Sequence, residues 1–109
     1  MTDAAAQLAA KLNELWRASR PLILERMAVL HATQTALAAN LADTAARREA
    51  REAAHKLAGV LGTFGLPRGS ELASALEKIL MADTPLTADD LTTLTTHIAE
   101  LESVIASKP

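Results

Sequence analysis

Apolar residues recur at spacings of three and four along almost the whole chain, the period of an α-helix, and turn signals cut the pattern into five segments. The first, residues 3–18, aligns Leu8, Leu12, Leu15 and Trp16 in one stripe. Ser19 and Pro21 are expected to end it, since serine caps a helix and proline suits the first turn of the next. A second helix over residues 20–40 carries Ile23, Met27, Leu30 and Leu37 towards Leu41. The third, residues 44–64, opens after Asp43 and stops at Gly65, a natural C-terminal cap. Pro67 starts a fourth helix to Met81, through Leu72, Leu76, Ile79 and Leu80. Beyond the loop "ADTPLT", Thr87 and Asp90 have the spacing of a capping box, with aspartate in the usual glutamate place. The last helix, residues 87–107, then sets Leu91, Leu94, Ile98, Leu101 and Ile105 on one seam.

Short loops make successive helices antiparallel neighbours. The expected fold class is therefore all-α: an up-down-up-down four-helix bundle built from the last four helices, with the additional N-terminal helix covering one end or edge. The 109 residues suit one domain spanning 1–109. Half of them are hydrophobic, but Trp16 and Phe64 are the only large aromatics, so the core falls to aliphatic side chains. The absence of cysteine removes disulfides and thiolate metal sites. A net charge of −2 gives nucleic acid or an acidic membrane no general attraction. No apolar run approaches the ~18–20 residues of a membrane span, and the N-terminus lacks a signal-peptide pattern. A cytoplasmic protein without nucleic-acid or membrane partners is the expectation.

The stretch "AAHKLAGVLGTFGLP", residues 53–67, departs from this plain picture. It puts His55 in the middle of a helix and follows it with Gly59, Gly62 and Gly65. Each interior glycine costs a helix roughly 1 kcal/mol relative to alanine. At about 100° per residue, Ala50, Ala53, Ala54, Leu57, Leu61 and Phe64 share one buried arc, and His55 stands about 140° from Ala50, outside it. Gly59 and Gly62 come out near 180° and 120°, on the face that carries His55. Glycines on an exposed face give no packing gain inside the bundle. The beneficiary is a visitor that must come close to the imidazole.

These residues resemble the signature of histidine-containing phosphotransfer (Hpt) domains of two-component phosphorelays. In that signature the accepting histidine is followed by leucine at +2, glycine at +4, a hydrophobic residue at +9 and glycine at +10. Leu57, Gly59, Phe64 and Gly65 fill those places here, with His55 as the acceptor. The motif covers about fifteen residues, and the helical architecture agrees over the whole chain. One position departs: the family commonly has lysine three residues after the histidine, where this chain has Ala58, and Lys56 follows the histidine directly.

The resemblance implies a carrier rather than an enzyme. His55 would take a phosphoryl group from the aspartate of a receiver domain, or from a kinase, and pass it to another receiver. One ring nitrogen attacks while the other is held by a hydrogen bond. The partner would be the receiver of a response regulator or hybrid histidine kinase, which keeps its own Mg2+, so the chain needs no metal or cofactor. Gly59, Gly62, Glu52 and Ala58 form the expected docking and clearance surface. Lys56, Arg51 and Arg48 are the expected charge stabilisers. His31 and His97 carry no motif and are expected to lack chemistry, and no histidine pair at helical spacing supports a metal site. The alternative from another class is a helical docking module for a receiver or other signalling protein, never itself phosphorylated.

Overall fold

The computed structural model describes residues 2–109 as four α-helices: α1 Thr2–Ala39, α2 Thr44–Thr63, α3 Pro67–Met81 and α4 Ala88–Ala106. No strand occurs among the described residues. Helix α1 packs on α2 and α4, α2 on α3, and α3 on α4, so chain neighbours are also neighbours around the ring of an antiparallel bundle. One face of each helix is spent on a common core that includes Ile23, Leu30, Leu37, Leu57, Leu61, Leu72, Leu76 and Leu101, all but fully shielded from solvent.

Local chemistry fixes where the helices end. The Asp43 side chain accepts from the Ala46 N–H at 3.0 Å, satisfying one of the free donors at the start of α2. At its other end Gly65 takes φ +72°, a conformation that side chains disfavour. The Leu66 N–H then reaches back to the Leu61 carbonyl at 2.9 Å and Gly65 N–H to Gly62 at 3.2 Å, the two bonds of a Schellman turn. Pro67 follows at the first position of α3, where its missing N–H costs nothing. Thr87 and Asp90 form the reciprocal capping box at α4.

Arg47 supplies the clamp for the C-terminal end of α3. Its guanidinium donates to the Leu80 carbonyl at 2.8 Å and the Thr84 carbonyl at 2.9 Å, and also to that of Ala82. The Leu80 carbonyl belongs to the last turn of α3, the negative end of its dipole, where a cation is favoured, and those of Ala82 and Thr84 follow it at the cap and in the loop. Gly69 serves packing: a Cβ there would lie 3.1 Å from the Leu61 side chain and 3.3 Å from that of Val104, so even a methyl group would make both give way.

The N-terminal part corrects the sequence expectation. No break occurs at Ser19–Pro21; the two expected helices are one, with Pro21 inside it. An interior proline typically costs about 3 kcal/mol, through a lost hydrogen bond and a clash with the preceding turn. Tertiary contacts on both sides offset it. Trp16 before the proline and Ile23 after it are both buried, seven residues apart and therefore in phase on one stripe. The Trp16 ring meets Phe64 edge-on, with centroids 5.4 Å apart, and the Lys108 ammonium lies 5.5 Å from its centre.

The additional helix is thus the leading part of α1, and it meets the end of the bundle chiefly through Trp16, with Ala9, Leu12 and Asn13 beside Thr63, Phe64 and Gly65. Residues 3–15 are exposed throughout, including Leu8, Leu12 and Leu15, which the sequence pattern assigned to a packed stripe. A helix of 38 residues spans about 57 Å, far more than its 15- to 20-residue neighbours. The molecule is accordingly 55 Å long and only 20 × 19 Å across.

Candidate functional site

Helix α2 presents two unlike faces. Ala50, Ala53, Ala54, Leu57 and Leu61 are buried, as the helical arithmetic requires, and His55 stands outside them with 73% of its side chain exposed. The imidazole is nevertheless held. Its Nδ1 lies 2.7 Å from Glu77 Oε2, a carboxylate reaching across from α3 that is itself only 24% exposed. An ionised carboxylate can only accept, so Nδ1 carries the proton of this bond. In a neutral ring the second nitrogen, Nε2, is then the one that keeps its lone pair, and it has no hydrogen-bond partner among the described residues.

Arg51, Glu52, Lys56 and Glu77 surround His55 in a shallow depression. Arg48 does not line it; seven residues before His55, it lies about 10 Å back along the helix. Gly59 is exposed, and a Cβ added there would meet nothing within 4 Å, so bare backbone borders the imidazole one turn on. Gly62 is also exposed but turns towards α3, where an added Cβ would touch the Ser70 hydroxyl at 3.5 Å. Ala58 is half-buried against the core, and its carbonyl accepts from the Ser70 hydroxyl at 2.7 Å. It belongs to the α2–α3 joint more than to an open surface.

Glu77 is the site residue that the sequence reading did not name. A signal for it existed in the hairpin symmetry: Gly62 faces Ser70, so the α2–α3 pair folds about Leu66, and His55 and Glu77 lie equally far from that point. The other histidines sit apart. His31, on α1, has Nδ1 3.1 Å from Gln34 Oε1 and Nε2 3.3 Å from Glu102 Oε2. His97 is half-buried on α4. Among the described residues no cluster of three or more potential ligands is placed to hold a metal ion, and no helix is long and apolar enough to cross a membrane.

The chain belongs to the Hpt domain family, whose match covers residues 14–104. Membership connects it with phosphorelay signalling. It is also similar to Protein RcaC of Microchaete diplosiphon, with 37% identity over 76 residues. That match takes in 70% of this chain but only 12% of the much longer RcaC. No solved structure matches the chain significantly.

Proposed function

We propose that the chain is a phosphorelay intermediate in which His55 accepts a phosphoryl group from a receiver-domain aspartate, or from a kinase, and delivers it to another receiver. The observation that carries the reading is the 2.7 Å contact between His55 Nδ1 and Glu77, which leaves Nε2 as the available nucleophile. In the forward step Nε2 attacks phosphorus, the N–P bond forms, and the bond from phosphorus to the aspartyl oxygen breaks to leave a carboxylate. The ring keeps its Nδ1 proton and gains positive charge, which the Glu77 carboxylate balances. Nothing needs to be removed by a base, so the reverse step runs through the same groups.

In-line phosphoryl transfer rests on positioning and on neutralising the equatorial oxygens. On this side Lys56 and Arg51 line the depression and supply cations within reach of the phosphoryl group, taking the part of the lysine that Ala58 replaces. Arg48 contributes through the longer-range field of the face. Gly59 and Glu52 border the approach of the receiver, which brings its own Mg2+ and acidic site. The domain thus works in the cytoplasm as a carrier without turnover of its own, over residues 1–109.

The test is transfer from a phosphorylated receiver. Wild-type protein should gain one acid-labile, base-stable phosphoryl group, and His55→Gln should gain none while keeping its helical spectrum. Failure of wild-type labelling with every cognate receiver, together with retained binding, would transfer the case to a docking module.

A further inference from the structure

The leading half of α1 carries a second apolar seam that phosphotransfer does not use. Leu8, Leu12, Leu15 and Leu22 are between 40% and 62% exposed. At about 100° per residue they fall within an arc of about 80°, spaced four, three and seven apart as in a two-helix seam. Ser19 and Arg26 complete the seam at the intervening positions. Leu8 and Leu12 precede residue 14, where the family match begins. A free helical segment of this length is marginal in water unless its apolar face is covered.

We propose that this seam binds a second copy of the chain, α1 against α1, antiparallel about a two-fold axis close to Arg17. The flanking charges argue for self-pairing. Lys11 and Glu25 lie on the same edge of the seam, and a two-fold axis between them sets Lys11 beside the partner's Glu25 and Glu25 beside the partner's Lys11. The same axis stacks Leu12 on the partner's Leu22 and Leu15 on the partner's Ser19. A closed dimer requires this self-complementarity of one surface patch. Parallel pairing would instead set Arg26 against the partner's Arg26 inside the seam, a like-charge contact. In the antiparallel pair Arg26 meets only the partner's Leu8 at the seam's end, where its stem packs and its head stays in water. Lys11 is held in the single chain only by an exposed 3.7 Å contact with Glu14, which is easily given up. The two bundles then lie end to end, each overhang resting on the other's α1.

The experiment is sedimentation equilibrium on the whole chain across the micromolar range, with receiver binding measured alongside. The expected result is a reversible wild-type dimer that Leu15→Glu, a change at an exposed position, reduces to a folded monomer. Lys11→Glu should weaken the dimer about tenfold, and Lys11→Glu combined with Glu25→Lys should restore it. A wild-type monomer throughout, or a dimer unaffected by Leu15→Glu, overturns the proposal. So does a charge swap that fails to restore association. A monomer whose capture of a phosphorylated receiver falls with Leu15→Glu also overturns it, by giving the face to the receiver. These outcomes are independent of whether His55 is phosphorylated.

Discussion

His55 and His31 look alike at first: each is an exposed histidine on one helix facing a carboxylate on a neighbouring one. Their difference lies in which nitrogen is engaged. His55 meets Glu77 through Nδ1, at 2.7 Å, and keeps Nε2 clear. His31 bonds the Gln34 side chain through Nδ1 at 3.1 Å, and its Nε2, 3.3 Å from the Glu102 carboxylate, is overhung by that group instead of open. Exposure alone therefore does not make a phosphoryl acceptor. On the proposed reading an acceptor also needs an anchored ring with its outer nitrogen unclaimed, and of these two histidines His55 has that arrangement.

The comparison is broken most sharply by exchanging the rings. His55→Gln should abolish acid-labile labelling, whereas His31→Gln should leave the rate unchanged; label retained in the first variant would move the acceptor elsewhere. Next come the carboxylates. Glu77→Gln should slow transfer by about tenfold or more, since the charge that balances the phosphorylated ring is lost and its orientation loosened. Glu102→Gln should not alter the rate, and equal effects in single-turnover assays would erase the distinction between the sites.

Gly59→Leu gives a smaller effect with two opposite signs. Its side chain would point into open space, so helix propensity should raise stability by a few tenths to about 1 kcal/mol. Transfer should nonetheless fall several-fold as the receiver's approach is obstructed. Normal rates in the stabilised variant would refute the clearance role.

The smallest effect concerns a third interhelical link, which involves no histidine. Arg68 holds Glu100 in a two-pronged contact, at 2.6 and 3.1 Å, joining α3 to α4. The hydrogen bond and the charge of Arg68 keep the Glu100 carboxyl below the usual carboxylate range, against a weaker opposing pull from burial. A carboxyl whose folded value is depressed stabilises the fold above its unfolded value and loses that contribution as pH falls through the folded one. Thermal melts of wild type and Glu100→Gln should differ slightly near neutrality and converge as the pH drops below about 4. Added salt should narrow the gap as well, because both groups face solvent.

The helices of the bundle were readable because caps and apolar period agreed. Asp43, Gly65, Pro67 and the Thr87–Asp90 pair mark ends that the backbone respects, and the stripes of α2, α3 and α4 are the buried ones. The outward direction of His55 followed from the same arithmetic. What escaped depends on contacts between distant residues. Pro21 reads locally as a helix start, and only the burial of Trp16 and Ile23 in one phase overrides it. The leucines of residues 8–15 have the right period, but Leu8 precedes the buried part of α1, and Leu12 and Leu15 stay half-open beside the buried Trp16. Glu77 and Gly69 matter through the register of α3 against its neighbours, and Arg47 reads as one more charge on a solvated face until its carbonyl partners are seen.

The Arg47 clamp also acts as an end stop. By gripping carbonyls of Leu80 and Thr84 from the first turn of α2, it sets how far α3 can slide along α2. A slip of one residue would carry Glu77 about 1.5 Å along the helix axis, enough to loosen a 2.7 Å hydrogen bond severely. An arginine eight residues before His55 thereby helps to set the aim of its imidazole.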